Sequence, residues 1–410
     1  MEYIALMDDI CYTEIKSTLY SAKVFFYMTN NKVFSASTRD FSDAVKWVAK
    51  TSGGQIRLDV AKDDTVLYLS SFHDTKSSRS KIDISLISGK PGDHTFVVSS
   101  GLLVNALKLL KGADFNITVT SSMMVIKSGR TVINLNVIKD SDEIIMPELP
   151  ALAGHLSISQ FRKAISAVSL AASHDDGSTA LMSIHCAFSP ANKTVSFVAT
   201  DRYKMMLRTI PFDPIDPAMP DFSMNILASS MKSLVSGLPT NDSSIDIHAV
   251  PDGSQFVIRD VQAMSGVGVV ASEFVQYKNF LTLPFPHKVK VEVAELKSAL
   301  EGIATLIPGE EGITLTFNGN ECVVSSVHNA GTMVIPVEGF VPPAVEDDEE
   351  PELRVAFGPK IIRPCISALS SKFVELHYNA PTKPWVVKEI DDVTGEVKDT
   401  SFTLLMPIRA

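Results

Sequence analysis

One short pattern recurs six times along these 410 residues: an alternating strand, a brief amphipathic helix, then several more alternating strands closed by turns. Six small units in tandem specify a shape before they specify any pocket. The helices carry the signal most clearly. Phe41, Ala44, Val45 and Val48 are spaced i, i+3, i+4, i+7, and the same phase returns in Leu103, Ala106, Leu107 and Leu110, in Phe161, Ala164, Ile165 and Val168, and in Leu296, Ala299, Leu300 and Ile303. Leu227, Met231, Leu234 and Leu238 keep the stripe with one gap. Ile362, Cys365, Ile366 and Leu369 keep it around Pro364, which is expected in or near a first turn.

Strand-like segments follow each helix, among them 55–59, 65–69, 116–120, 124–127, 195–200, 244–248, 312–317 and 374–378. They alternate or run apolar, and Gly, Asn, Asp or Pro punctuates them at short intervals. A helix this short buries only one stripe, so each must lie on a sheet built from its neighbouring strands. The expected class is α+β, with paired β-α-β-β-β units.

A hydrophobic fraction of 45% is ample for sizeable cores. Cys11, Cys186, Cys322 and Cys365 are scattered without a CxxC pair, which argues against a disulfide framework or a zinc site and for reduced thiols in a core. No run reaches the roughly 18 apolar residues of a membrane span, and Glu2, Asp8 and Asp9 stand where a signal peptide would be basic. The expectation is a cytoplasmic protein.

The formal net charge is -10, which by itself speaks against nucleic acid. Its distribution says more. Lys46, Lys50, Lys108, Arg162, Lys163, Lys232, Lys297 and Arg363 all fall on helix positions away from the apolar stripe, while acids collect at 140–143 and 346–350. Solvent-facing lysines are ordinary on any helix, and Asp43 and Glu301 dilute the pattern, so the residues alone leave both readings open.

Linkers place the boundaries. The acidic, proline-bearing stretch 140–154 and the two-proline stretch 280–287 divide the units into pairs. The expected organisation is three domains, at 29–146, 154–280 and 284–410. Residues 1–28 have no counterpart in the repeat, and Met28 stands where the first unit would begin. They are expected to be an N-terminal extension or a mis-called start.

Two short motifs then carry a resemblance. Residues 197–206 read FVATDRYKMM, and the chain ends LLMPIRA; Ser128, Gly129 and Arg130 form an SGR turn. In a tandem repeat these resemble the bacterial-type DNA polymerase III beta subunit, the sliding clamp that acts as processivity factor, from about residue 29 onward. The resemblance implies three tandem DNA-clamp domains with outer antiparallel sheets and inner helices. Two chains would form a head-to-tail homodimeric ring around double-stranded DNA, without base readout. Its basic helix residues would face the DNA.

The resemblance also implies a groove that takes short peptides from the DNA polymerase, the clamp loader and repair proteins, tethering the polymerase for processivity. By position it would be lined by Thr200, Arg202, Tyr203, Lys204, Met205, Val275, Phe280, Ile361, Pro384, Leu405, Met406, Pro407, Ile408 and Arg409. Arg202 replaces a small residue of the family, Tyr203 a His, Lys204 an Arg and Met205 a Leu, and EFVQYKNF stands for FPNYRRV. The preferred peptide is therefore expected to differ. Read as residues alone, Val198, Ala199 and 404–408 also fit ordinary core strands. The dimer contact would set Ile133 and Leu135 against Leu306 and Ile307 of another chain.

No cofactor, metal or membrane partner is implied, and no enzyme. His174, Asp175 and Asp176 read as a polar turn and His185 as strand core, and GxxxxGK[ST], GxGxxG and HExxH are absent. The alternative is a non-enzymatic β-rich structural or assembly protein of repeated modules without a DNA role.

Overall fold

Each of the six apolar stripes centres on a helix in the computed structural model, which describes residues 32–89, 94–138, 148–175, 177–238, 243–251, 253–307, 311–328, 330–341 and 352–409. Residues 1–28, Cys11, the acidic runs at 140–143 and 346–350, and Asp176 lie outside these residues. The chain divides into two compact units, Met1–Leu149 with Ile258–Gly266, and Pro150–Val257 with Val267–Ala410.

In the first unit, one repeat is β1 (Lys32–Ser37), α1 (Thr38–Ala49), β2 (Gln55–Val60), β3 (Val66–His73) and β4 (Lys76–Ser88). The next is β5 (His94–Ser99), α2 (Ser100–Leu107), β6 (Asp114–Val119), β7 (Met123–Ser128) and β8 (Thr131–Asn136). All ladders are antiparallel, in the order β5-β2-β3-β4-β1-β6-β7-β8. Just beyond β8, Ile138 N donates to Val97 O of β5 at 2.8 Å.

The second unit continues with β9 (Leu152–Ser157), α3 (Ile158–Val168), β10 (Ser183–Ser189), β11 (Thr194–Thr200), β12 (Lys204–Pro211) and the two-residue β13 (Asp213–Pro214). A fourth repeat follows as β14 (Phe222–Leu227), α4 (Ala228–Gly237), β15 (Ser244–His248), β16 (Gln255–Arg259) and β17 (Ala263–Gly268), of which Ile258–Gly266 belongs to the first unit, before the short α5 (Lys278–Leu281). The fifth is β18 (His287–Glu292), α6 (Val293–Leu306), β19 (Ile313–Asn318), β20 (Glu321–Ser326) and β21 (Thr332–Glu338). The sixth is β22 (Leu353–Phe357), α7 (Pro359–Ser367), β23 (Phe373–Tyr378), β24 (Trp385–Glu389) and β25 (Ser401–Leu405). Twelve of these strands form one sheet, β14-β10-β11-β12-β25-β24-β23-β18-β21-β20-β19-β22. Residues on both sides of the 280–287 stretch therefore share this unit, joined by the β12–β25 ladder.

The repeats interlock by exchange. The first strand of each pairs with the second strand of its neighbour: β1 with β6 and β5 with β2, β9 with β15 and β14 with β10, β18 with β23 and β22 with β19. The helices pack in the same couples, α1 on α2, α3 on α4 and α6 on α7.

Local chemistry fixes where the helices begin. Ser37, Ser99 and Ser157 close their strands and accept from the backbone N–H of Asp40, Leu102 and Gln160 at 3.3, 3.5 and 3.5 Å, satisfying an otherwise orphan donor of the first turn. In α7 it is Pro359 that occupies the start, where its missing N–H costs nothing. Pro364 lies further in, one turn beyond the expected position, and the helix ends three residues later.

Candidate peptide groove and basic helix faces

Period-two alternation decides which side chains reach the surface around residues 200–206 and the C-terminus. Strand β25 runs between β12 and β24, with Met205 opposite Leu404, Lys204 opposite Leu405, and Leu405 in turn opposite Trp385. Met205 and Leu404 join Val198, Leu207, Phe274, Tyr277, Val386 and Phe402 in one buried cluster, with Phe285 and Met406 at its margin. Lys204 and Leu405, one residue out of phase, turn to the opposite face of the sheet. Both are buried there, Lys204 against Asp201 and Leu405 between the flanking strands. The structure thus puts Leu404 where Leu405 was expected, and withdraws Lys204 from the surface.

The tail then leaves the sheet along a defined track. Met406 N donates to Tyr203 O at 2.8 Å, and Ile408 N donates to Ala356 O at 2.8 Å. Ile408 lies so close to Gly312 that a Cβ there would meet it at 2.7 Å, which explains the glycine. Exposed apolar groups border the track: Tyr203, Val275, Phe280 and Ile408. Met406, Pro407, Ile361 and Pro384 are half-buried, and Arg202 and Arg409 are exposed.

The turn at 200–204 is held from several sides. Thr200 Oγ1 donates to Lys204 O at 2.8 Å, and Asp201 Oδ1 accepts from the N–H groups of Tyr203 and Lys204 at 2.9 and 2.8 Å. The Lys204 ammonium pairs with Asp201. Phe274 and Tyr277 fix the covering segment, Phe274 by stacking on His185 at 4.9 Å. His185 Nδ1 is 2.8 Å from Asn225 Oδ1, and burial holds the imidazole below its ordinary pKa despite that bond. His185 is thus a packing residue, half-buried rather than core. Phe274 and Tyr277 were missed as groove residues, although the phenylalanine and tyrosine of EFVQYKNF are shared with FPNYRRV.

On the helix side of the same strands lies a buried ion pair. Arg208 Nη2 is 3.5 Å from Glu389 Oε2, too long for a hydrogen bond, while Nη1 donates to Leu207 O at 2.8 Å. Glu389 also accepts from the N–H groups of Ser370 and Ser371 at 2.9 and 3.2 Å and from the Ser401 hydroxyl at 2.7 Å. Burial raises its pKa, but Arg208 and these donors outweigh that, and the carboxyl is held below the ordinary value. A depressed carboxylate contributes stability above its unfolded pKa of about 4.3 and loses it as pH falls through the folded value. The melting temperature is expected to drop on acidification below about pH 4.5, and Glu389→Gln should flatten that limb; an unchanged pH profile in the variant would exclude this role.

Of the eight basic helix residues, Lys46, Lys50, Lys108, Lys163, Lys232 and Arg363 are exposed on faces away from the core. The other two are half-buried and work within the protein. Arg162 donates to Leu238 O and Lys297 Nζ to Leu369 O, at 2.8 Å for Lys297, so each closes the C-terminal end of the paired helix.

The residues expected at the dimer contact divide by exposure. Ile133 and Leu135 point inward from β8, half-buried and buried, whereas Val132 is 57% exposed. Leu306 is 53% exposed, Ile307 is buried, and Met333 and Val334 stand out from β21. β21 meets β18 only at Val337 and Glu338, which leaves its first half without a partner on that side.

Asp175 closes a turn, accepting from Gly177 N at 3.3 Å, and burial pushes the Cys365 thiol up to about 12. Among the described residues no three His, Cys, Asp or Glu side chains converge as a metal site requires, and no helix is long and apolar enough to cross a membrane.

The architecture has close counterparts. The DNA polymerase sliding clamp of Bacillus subtilis superposes with a TM-score of 0.79 at 16% identity, covering 93% of this chain and all of that one. The fold is that of the bacterial sliding clamp. A Helicobacter pylori beta clamp, solved bound to a DNA ligase peptide, matches the clamp fold with a TM-score of 0.75 at 15% identity over 92% of this chain. In sequence, the beta sliding clamp of Streptomyces coelicolor is 20% identical over 388 residues, 90% of this chain and 96% of the relative. No family model matches the chain.

Proposed function

We propose that this protein is a sliding clamp: two copies close head to tail into a ring that encircles double-stranded DNA and tethers the replicative DNA polymerase, conferring processivity. The observation that carries the reading is the pairing of basic, exposed helix faces with six strand-exchanged repeats in a chain whose net charge is -10. Loose phosphate neutralisation by Lys46, Lys50, Lys108, Lys163, Lys232 and Arg363 suits a ring whose grip is topological, because tight contacts would impede sliding. The reciprocal strand exchange supports three domains of two repeats, at 29–146, 154–280 and 284–410.

Two open strand edges support the ring contact. β8 carries exposed Val132 on its free side, and β21 carries Met333 and Val334 beside Leu306. Pairing them between copies would bury apolar area and remove both edges. Ile133, Leu135 and Ile307 would then support the contact from beneath.

The groove floored by Met205, Leu404 and Met406 and bordered by Val275, Phe280, Tyr203 and Ile408 is proposed to take clamp-binding peptides of the polymerase, clamp loader and repair proteins, as the Helicobacter pylori protein takes a ligase peptide. No catalytic role is assigned, and the place of action is the nucleoid in the cytoplasm.

Loaded onto nicked circular plasmid by a clamp loader, the protein should survive a high-salt wash and be released when the plasmid is linearised. Equal retention on circle and line would sink the ring reading. An assembly protein would instead form concentration-dependent higher oligomers without loader or DNA.

A further inference from the structure

We propose that the groove selects acidic peptides, with carboxylates flanking an apolar anchor, and that Arg202 sets this preference. The inference rests on the clamp reading of the groove. Arg202 has a φ of 79°, the left-handed region that costs a side-chain-bearing residue free energy and that glycine adopts freely. The turn does not need an arginine there. Its closure comes from Thr200 and Asp201, whose side chains satisfy the N–H groups of Arg202, Tyr203 and Lys204. The strained position therefore holds an exposed guanidinium at no benefit to the turn, which points to a use outside it.

The surroundings share its sign. Tyr203 O accepts from Met406 N, so Arg202 stands beside the segment that carries exposed Arg409. Lys278 follows Tyr277 of the apolar cluster, and Lys383 lies three residues before Val386 of the same cluster. All four cations are exposed, and among the described residues none has an ion-pair or hydrogen-bond partner for its side chain. The nearby acids do not offset them. Asp201 is committed to Lys204, leaving only exposed Glu273 in these segments. A cationic rim around an apolar floor, on a chain with an excess of acids, is complementary to an acidic peptide with a hydrophobic anchor.

Such exposed pairs act through rate and selectivity and are screened by salt. The test is a peptide array in which pairs of Leu, Ile, Phe and Met anchors are flanked by Asp and Glu, by Gln, or by Lys, with affinities read by fluorescence polarisation. At low salt, acid-flanked peptides should bind about tenfold tighter than the Gln-flanked set, the margin shrinking at higher ionic strength. Arg202→Gly, which relieves the backbone, should reduce the margin severalfold, read as the ratio of acid-flanked to Gln-flanked affinity within that variant, and Arg202→Lys should restore part of it. Equal binding of acidic and neutral sets, or an unchanged margin in the glycine variant, overturns the inference and leaves the groove standing. If no anchored peptide binds, the groove reading falls as well.

Discussion

Replacing Arg208 by alanine is expected to destabilise the second unit by about 3–5 kcal/mol, because Glu389 is left charged and buried without its cation. Both side chains are close to fully enclosed, so water cannot take the place of the guanidinium. The carboxylate would keep its bonds from Ser370, Ser371 and Ser401 but lose the group that offsets its desolvation. Urea unfolding should show the loss, and amide exchange at Ser370 and Ser371 should accelerate, since their N–H groups are anchored by the same carboxylate. Arg208→Met with Glu389→Leu should recover only part of the stability, because the apolar pair removes the buried charge but leaves the Ser370, Ser371 and Ser401 donors without their acceptor. A single alanine variant within about 1 kcal/mol of wild type would mean that the 3.5 Å pair is idle.

Trp385→Ala should cost a similar amount, about 3–5 kcal/mol, for a different reason. The indole is 1% exposed and stacks on Tyr378 at 4.5 Å and Phe317 at 5.8 Å, with Phe357 edge-on at 6.1 Å. Removing it opens a cavity that three aromatic rings cannot fill. The damage should spread to the proposed groove, because the next residue along, Val386, packs in the buried cluster with Met205 and Leu404. Peptide affinity should therefore fall together with the unfolding midpoint. Trp385→Phe should be far milder: among the described residues the indole Nε1 has no hydrogen-bond partner, so phenylalanine keeps most of the packing and forfeits no such bond. A large loss in the phenylalanine variant would show that the indole nitrogen matters after all.

The helices were legible because a single apolar stripe is local information. Phe161, Ala164, Ile165 and Val168 lie within two turns, and all four are buried. The serine caps were equally local, and Ser157 with Gln160 three residues on is a readable capping pattern that went unused. Alternation along 204–205 and 404–405 was also present, but choosing which phase faces the groove needs the neighbouring layers. A one-residue difference sends Leu404 to one face and Leu405 to the other. Arg162 and Lys297 read as solvent-facing by phase, yet their length lets them reach the end of a second helix that no periodicity could place. Arg208 and Glu389 meet only because β12 and β24 flank β25, and no spacing in the chain announces that. The candidate groove was thus visible as a set of segments, and the buried cluster beneath them was not.

The exchange of first strands has a consequence for how such a chain is made. Lys32 opens β1, but its partner Val119 emerges from the ribosome only after most of another repeat has been synthesised, a wait of roughly 4–17 s at ordinary elongation rates. Until then a nascent repeat holds an unsatisfied strand, and the smallest piece that can pair its own exchanged strands is a couple of repeats. Losing or gaining a single repeat would strand two edges at once, so a lineage built on this plan can lengthen or shorten only in twos.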